Sequence, residues 1–338
     1  MNKKRVESID ILRGIAIILM LIGHVGGVPS YVDKYIHMFH MPVWFFISGW
    51  FYKSSSQPLY SIIMKKARTL LIPYICWGIL QYPVWLFANR HTTISKVKPL
   101  INLFTFNTND VMPMAGALWF LTSLFFAECI YIIIDRYIKK KRYRIALIAA
   151  VAILGNIFTT LFDFRLPWAI DTSFVAVGFI GLGHIAKIYY DNRKLKSVFE
   201  LKIIVCIILT IANTVLCFAN SSVNMRTGSY GNIPLFWINA LSAIIIYWNI
   251  SSYIDSGITS GILIKAKRSL ENIGQNSIVY LCLNQLTIWF VETVLNKLQI
   301  TFSMWGLKCL IILIASLFIL KIVEHLTMTT KLRILFGK

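Results

Sequence analysis

Charged residues are scarce in this sequence, and acidic residues are the scarcest. Only 14% of the 338 residues are Asp, Glu, Lys or Arg, whereas a typical soluble domain is about 25% charged. Hydrophobic residues make up 57% of the chain, and the mean hydropathy is +0.68. A soluble domain of this length needs far more polar surface than these residues provide. The composition excludes a soluble enzyme and a disordered chain, and it indicates a polytopic membrane protein.

Cysteine is also rare, and no two cysteines are placed to act together. The six thiols are scattered singly through apolar stretches, without the spacing of a metal site or of a disulfide framework. A secreted disulfide scaffold is therefore excluded, and we interpret these residues as small apolar members of the core. They are Cys76, Cys129, Cys206, Cys217, Cys282 and Cys309.

Long runs of apolar residues are the dominant feature of the sequence. Ten runs approach about 20 residues, the length with which a helix crosses the hydrocarbon core. They cover residues 9–29, 36–52, 69–88, 115–135, 145–162, 170–189, 203–220, 232–253, 273–295 and 304–323. Continuous runs are typical of membrane helices, whereas barrel strands alternate over about ten residues. We predict an all-α membrane protein with about ten transmembrane helices, forming a single integral-membrane domain over residues 1–338.

The basic residues alternate from loop to loop. Lys and Arg number 34 against 14 Asp and Glu, a formal net charge of +20. The two tails and the even-numbered gaps between predicted helices hold 25 of them and the odd-numbered gaps hold 7, while Arg13 and Lys308 lie inside helices. The positive-inside rule then places both termini in the cytoplasm. We predict a multi-pass protein of the inner (cytoplasmic) membrane, surrounded by lipid and not bound to nucleic acid.

The first predicted helix carries three ionisable residues, Asp10, Arg13 and His24. Each such group costs about 2.5–3.5 kcal/mol inside a bilayer and is a functional candidate. Asp10 and Arg13 have the i,i+3 spacing of an ion pair. Arg13 and His24 share one helix face and are separated by about 16 Å of helix rise. Alternatively, Asp10 and Arg13 anchor the helix at the interface and His24 sits among the outer headgroups.

Two more histidines, His37 and His40, lie one helical turn apart on the same outer side as His24. Three imidazoles at one level can bind a metal ion. No Asp, Glu or Cys accompanies them at ligand spacing, so no metal is expected. Imidazole titrates near neutral pH, and the cluster instead favours chemistry that needs a proton acceptor.

Other polar residues stand out less strongly. Lys65, Lys66 and Arg68 crowd the cytoplasmic mouth of the third predicted helix, where topology alone also explains them. Glu128 lies within the fourth predicted helix, and Trp119 falls beside the polar candidates. We take Glu128 and Trp119, together with His37, as candidate substrate-binding residues.

The ninth predicted helix carries Asn284 and Gln285 near its middle and Glu292 further out. Amide side chains in membrane helices more often form hydrogen bonds between helices than take part in chemistry. We therefore predict an interhelical role for this pair.

Several segments carry a family resemblance through their order and spacing. They are Asp-x-x-Arg-Gly at 10–14 with His24 completing an Arg-x10-His spacing, HMPVWFFISGWFY at 40–52, KKARTLLIPY at 65–74, ALWFLTSLFFAE at 117–128 and ENIGQNSIVYLCLNQ at 271–285. In this order they resemble acyltransferase family 3, integral-membrane acyltransferases that include the fucose 4-O-acetylase-like group. The resemblance covers about residues 5 to 300.

The resemblance implies an O-acetyltransferase. Such proteins move an acyl group, usually acetyl from cytoplasmic acetyl-CoA, onto a sugar hydroxyl of a cell-envelope glycan or of its lipid-linked precursor. It implies a catalytic role for His24, an essential donor-linked role for Arg13 and donor contact near residues 65–68. The family often has Arg-x-x-Arg at that last site, where this chain has Lys65 and Arg68, and often His where this chain has Asn284.

These observations combine into one scheme. Arg13, Lys65 and Arg68 hold the CoA diphosphate at the inner face, and the pantetheine arm extends towards His24. Neutral His24 takes the proton of the sugar hydroxyl as this attacks the thioester. His40 or His37 orients the acceptor or stabilises the oxyanion. Asp10 holds Arg13.

Two alternatives remain open at this point. Intramembrane Asp, Arg, His and Glu are equally typical of a transporter or flippase for a glycan precursor or a small solute. No pair of Gly- or Pro-broken helices and no inverted repeat is evident. The other alternative keeps the enzyme class and changes the acyl group, for example to succinyl. The oligomeric state is not predicted.

Overall fold

The computed structural model describes residues 6–108, 113–261 and 263–338, and α-helices form almost all of its regular structure. The helices are α1 (Glu7–His24), α2 (Ser30–His37), α3 (His40–Trp50), α4 (Leu59–Ala88), α5 (Lys98–Phe104), α6 (Trp119–Tyr137), α7 (Lys141–Leu161), α8 (Ile170–Asp191), α9 (Lys196–Phe199), α10 (Ile203–Ala219), α11 (Ile233–Gly257), α12 (Leu263–Gln275), α13 (Ser277–Lys297) and α14 (Trp305–Met328). Short 3₁₀ segments occur at Pro113–Leu118, Pro167–Ala169 and Lys331–Phe336. The prediction of an all-α protein is confirmed.

Seven helices in this part of the chain are long and apolar enough to cross a membrane: α4, α6, α7, α8, α11, α13 and α14, some of them extended by a flanking 3₁₀ turn. The apolar α10 is shorter. The 18 residues of α1 include Glu7, Asp10 and Arg13, so its polarity sets it apart from these spans. The count of ten crossings and the cytoplasmic termini stay predictions.

The outer surface of the bundle is apolar. Ile204, Ile208, Ile211 and Val215 follow one face of α10 at spacings of three and four residues, and all four are exposed. In the most apolar 18 residues of α7, and likewise of α14, only 22% of the residues are buried. Soluble monomers rarely expose apolar patches of this extent to water. This surface is suited to lipid and confirms a multi-pass membrane protein.

The second predicted helix, 36–52, is broken. α2 ends at His37 and α3 begins at His40, with Phe39 outside helical geometry (φ −138°). In a continuous helix the backbone N–H of His40 would donate to the carbonyl of Ile36. Here Nδ1 of His40 donates to that oxygen over 2.9 Å and the backbone N–H of Phe39 donates to it over 3.3 Å. His37 and His40 therefore belong to different helices.

Other helix boundaries also differ from the predicted ones. The first predicted helix, 9–29, ends at His24. α4 begins at Leu59, ten residues before the predicted 69, because polar residues in its first turns do not prevent helix formation. Lys65, Lys66 and Arg68 accordingly lie on α4 itself and not before it. The predicted helix 273–295 is divided at Asn276 into α12 and α13.

Helix α1 lies inside the bundle and packs against α11, α12 and α13. Its contact with α12 depends on two glycines. A Cβ atom added to Gly274 would lie 1.8 Å from the carbonyl oxygen of Asp10, and one added to Gly14 would lie 2.3 Å from that of Leu270. Only glycine permits this approach, which fixes the depth of the turn that carries Asp10 and Arg13.

Candidate active site

A cavity of about 690 Å³ lies between α1, α3, α4, α6, α8 and α13. Cationic residues dominate the charged part of its wall, with seven Lys and Arg against two carboxylates among the described residues that line it. The cations are Arg13, Lys53, Lys66, Arg136, Lys139, Arg144 and Lys338, and the carboxylates are Glu128 and Asp135. A concave site with this excess of positive charge favours a polyanionic ligand.

Asp135 organises one side of the cavity mouth. Its carboxylate accepts hydrogen bonds from Tyr52 (2.8 Å) and Ser54 (2.6 Å) and forms an ion pair with Arg144. Burial, reinforced by the bond to Asp135, raises the pKa of Tyr52, so the phenol remains a neutral donor. The carboxylate thereby ties the segment after α3 to α6 and α7.

Arg13 lines the same cavity from α1. Its guanidinium lies 3.6 Å from Asp10, in the predicted i,i+3 ion pair, and its Cζ lies 5.1 Å from the ring centroid of Phe51. A carboxylate on one side and an aromatic face on another orient a cation at a partly dry surface. The predicted relationship of Asp10 to Arg13 is present.

On α4 it is Lys66, and not Lys65 or Arg68, that faces the cavity. Nζ of Lys66 donates to Oε1 of Glu128 over 2.8 Å, and Ser48 donates to the same oxygen over 2.6 Å. Oε2 of Glu128 is buried and has no hydrogen-bond partner among the described residues. Lys65 and Arg68 are exposed and do not line the cavity.

The inner end of the cavity is apolar. Bulky apolar side chains from α1, α3, α6, α8 and α13 line this end. These are Ile17, Trp44, Phe120, Leu121, Leu124, Ile180 and Leu281. On α1 and α6 they lie further from the cavity mouth than Arg13 and Glu128 do. The cavity thus has a charged mouth and a hydrocarbon end.

A second group of polar residues lies beyond this apolar end. Trp44 follows His40 by four residues on α3, and Leu281 precedes Gln285 by four residues on α13, in each case one helical turn or about 6 Å of rise. Ile17 and His24 are separated by about 10 Å along α1. A thin layer of apolar side chains therefore lies between the cavity and the outer polar group.

His24 and Gln285 form the centre of that group. The amide nitrogen of Gln285 lies 3.4 Å from Nδ1 of His24. Its carbonyl oxygen accepts the backbone N–H of Ala117 over 3.0 Å, which fixes the orientation of the amide. A Cβ atom added to Gly116 would lie 2.9 Å from the amide oxygen of Gln285 and 3.0 Å from a guanidinium nitrogen of Arg226. Gln285 therefore connects α13, α1 and the segment before α6, which confirms the predicted interhelical role.

His37 and His40 complete the outer polar group, which we call the outer cluster (His24, His37, His40 and Gln285). Their rings meet edge to face with centroids 4.9 Å apart. Nδ1 of His37 lies 3.0 Å from a carboxylate oxygen of Asp33. The structure thus brings the three histidines together although α2 and α3 are separate helices.

The turn after α1 is held by an ion pair. The N–H of Gly26 donates to Oε1 of Glu292 over 2.9 Å, and Nζ of Lys308 donates to the carbonyl oxygen of Gly26 over 2.8 Å. Nζ of Lys308 also lies 3.3 Å from Oε1 of Glu292. Both polar groups of Gly26 are therefore fixed two residues after His24.

The remaining candidates lie elsewhere. Trp119 is buried at the start of α6, edge-on to Phe120, and does not line the cavity. The amide of Asn284 donates to the carbonyl of Leu281 on its own helix (2.6 Å), and its Oδ1 has no hydrogen-bond partner among the described residues. The interhelical role predicted for the pair is therefore seen for Gln285 and not for Asn284. Of the predicted site residues, Arg13 and Glu128 share the cavity, and His24, His37 and His40 share the outer cluster.

The sequence predicted donor contact by Lys65 and Arg68, whereas the α4 residues that line the cavity lie on another face of the helix. Ile62, Lys66, Thr69 and Leu70 line the cavity at i, i+4, i+7 and i+8. This is the spacing of a single helix face. Because α4 begins at Leu59, this face includes Lys66 and leaves out the neighbouring Lys65. Gln285 carried no sequence signal that connected it to His24, 261 positions away.

Comparison with known proteins identifies the family of the chain. The family model for the acyltransferase 3 domain, described as an acyltransferase domain, matches residues 6–321. No curated protein and no solved structure matches the chain. The matched region includes the cavity residues except the C-terminal segment, and it includes the whole outer cluster. The chain belongs to acyltransferase family 3 and is a membrane acyltransferase.

Proposed function

We propose that this protein is an O-acetyltransferase that moves an acetyl group from cytoplasmic acetyl-CoA to a sugar hydroxyl of a cell-envelope glycan or of a lipid-linked precursor. One observation carries the proposal: a cation-lined cavity has an apolar inner end that lies one helical turn from a histidine cluster. In this proposal the two reactants enter from opposite sides. The anionic donor enters from the Arg13 side, and the acceptor enters from the His24 side.

The cavity suits the parts of acetyl-CoA in order. The phosphates pair with cations at the mouth, such as Lys53, Arg136 and Lys139, for which we find no ion-pair partner among the described residues. Arg13 and Lys66 lie deeper, in place of the predicted Lys65 and Arg68. The pantetheine arm then extends along α1, whose rise of about 16 Å from Arg13 to His24 is of the same order as the arm.

Glu128 provides a polar contact along that path. It follows the apolar residues of α6 and precedes Asp135 by seven residues, which places it about 10 Å inside the mouth. Two donors already occupy Oε1, whereas Oε2 has none. An amide N–H of pantetheine supplies the missing donor, because an unsatisfied buried acceptor costs about 1–3 kcal/mol.

His24 carries the chemistry. Gln285 donates towards Nδ1, so the neutral imidazole has its proton on Nε2 and its lone pair on Nδ1. The acceptor hydroxyl displaces the Gln285 N–H, 3.4 Å away, from Nδ1 and gives its proton to this nitrogen while its oxygen forms a bond to the thioester carbonyl carbon. The tetrahedral intermediate then breaks the C–S bond, and protonated His24 returns the proton to the CoA thiolate. His37 and His40 face the acceptor.

The test is glycan acetylation in cells that make the His24→Ala or the Arg13→Ala protein at normal levels. Mass spectrometry of surface polysaccharide should show acetyl groups only with the wild-type protein. Purified protein in detergent should bind labelled acetyl-CoA and slowly release CoA thiol. Full acetylation in both variants would overturn the proposal, and a transporter would show neither donor binding nor thioester cleavage.

A further inference from the structure

The size and the charge of the apolar inner end of the cavity restrict which acyl groups can enter it. We infer that it selects a short, uncharged acyl group, so that acetyl-CoA is used in preference to butyryl-CoA and succinyl-CoA. This inference rests on the proposed function, since it assumes that the cavity holds an acyl-CoA with the thioester innermost. It depends on side chains to which no role has been given above.

The size limit follows from the packing of these side chains. Phe120 and Leu281 are 4% and 7% exposed, and Ile180 is 1% exposed. Phe120 is also held between rings, 5.1 Å from Phe45 and 6.5 Å from Trp119 between centroids. Close-packed side chains of this kind do not retract without cost. Each additional methylene on the acyl chain therefore meets a filled wall.

The discrimination against a charged acyl group follows from the positions of the cations along the cavity. Among the described residues lining the cavity, every cation comes from the mouth or from the level of Arg13 and Lys66. The charged groups nearest to the apolar end are Glu128, one turn from Leu124, and Arg13, one turn from Ile17. The charge of Arg13 is already balanced by Asp10 and that of Lys66 by Glu128. A succinyl carboxylate at that depth would therefore be desolvated without an unbalanced cation to pair with, and it would lie near the Glu128 carboxylate.

The experiment measures release of CoA thiol by wild-type membranes supplied with acetyl-, propionyl-, butyryl- or succinyl-CoA, with His24→Ala membranes as the blank. We expect acetyl-CoA to give the highest kcat/KM, and butyryl- and succinyl-CoA to fall at least about tenfold lower, the usual discrimination of a filled apolar pocket. Equal use of acetyl- and succinyl-CoA, or of acetyl- and butyryl-CoA, would overturn the inference. No thiol release from any donor, together with no donor binding, would overturn the proposed function and the selectivity with it.

Two matched variants separate size from charge. Leu281→Ala shortens a side chain at the inner end, and Leu283→Ala makes the same change at a buried position of α13 outside the cavity. We expect Leu281→Ala to raise the butyryl-to-acetyl ratio of kcat/KM about tenfold and to leave succinyl-CoA poor. Leu283→Ala should leave the ratio unchanged. An equal shift in both variants, or none in Leu281→Ala, would contradict a pocket at this place.

Discussion

The side-chain amide of Gln285 lies between the backbone of Ala117 and the imidazole of His24. The N–H of Ala117 occupies the amide oxygen, so the amide nitrogen is the atom that faces Nδ1 of His24. The hydrogen-bond partner of one ring nitrogen of a histidine orients the ring and determines which nitrogen carries the proton. Gln285 is therefore expected to be a positioning residue that acts through His24.

Gln285→Leu should lower turnover while leaving donor binding intact. Loss of the amide frees the imidazole to adopt either tautomer, and a misplaced base costs about 10- to 100-fold in rate. The measurement is kcat and the acetyl-CoA Kd of purified protein. Gln285→Glu is the sharper variant: its oxygen still accepts from Ala117, but it cannot donate to Nδ1. Unchanged kcat in both variants would rule out a positioning role.

Donor binding and chemistry should separate between the two ends of the site. His24→Ala should retain the acetyl-CoA Kd, since His24 does not line the cavity, and should lose about 10²- to 10⁴-fold in kcat as expected for a lost general base. Isothermal calorimetry and single-turnover thiol release measure the two quantities. A variant that instead lost donor binding would place the imidazole inside the donor cavity.

Adjacent lysines on α4 offer a matched test of the donor site. Lys66→Ala should weaken acetyl-CoA binding about 10- to 100-fold, because a charge-assisted contact contributes about 1.5–3 kcal/mol. Lys65→Ala removes the same charge from the exposed face of the same helix and should change Kd little. Comparable losses in the two variants would show that general charge, and not cavity contact, determines affinity.

The helices were largely predictable because lipid imposes one rule on every span. A lipid-exposed backbone must satisfy its own hydrogen bonds, so long apolar runs such as 145–162 and 304–323 become α7 and α14. The break at Phe39 was not predictable from hydropathy. At this break the carbonyl of Ile36 accepts from the imidazole of His40 and from the backbone N–H of Phe39, which hydropathy does not indicate.

The site was predictable where residues share one helix and less so where helices meet. Spacing alone placed Asp10 against Arg13 and brought the three histidines to one level. It could not show that Lys66 reaches Glu128, 62 positions away, or that Lys308 reaches Gly26, 282 positions away. Such contacts depend on the packing of helices that hydropathy does not order in space.

Gly274→Ala should destabilise the protein severely. The added Cβ would lie 1.8 Å from the carbonyl oxygen of Asp10, and the backbone of α1 cannot yield without moving Arg13. Overpacking of this kind costs about 1–3 kcal/mol or more. Thermal unfolding in detergent is the measurement. Gly306→Ala on α14, where an added Cβ meets nothing within 4 Å, is the control and should be neutral or slightly stabilising. Equal stability of the two variants would contradict the close approach of α1 and α12.

Glu292 and Lys308 should couple through Gly26. Glu292→Leu removes the acceptor of the Gly26 N–H and leaves Lys308, whose side chain is only 31% exposed, without its counter-ion. We expect a loss of about 1–3 kcal/mol in stability and a lower kcat, because the turn after His24 loosens, with the acetyl-CoA Kd unchanged. Lys308→Met should cost less, since the Glu292 carboxylate that it leaves without a counter-ion keeps the Gly26 N–H as a hydrogen-bond donor.

The double variant Glu292→Leu, Lys308→Met tests that coupling. It should be less damaging than the sum of the two single changes, because the second substitution removes the charge that the first one strands. Lys297→Met removes an exposed cation near the end of the same α13 and serves as the control for charge alone. Strict additivity of the two losses, measured by thermal unfolding and by kcat, would mean that the two residues stabilise the turn after His24 independently.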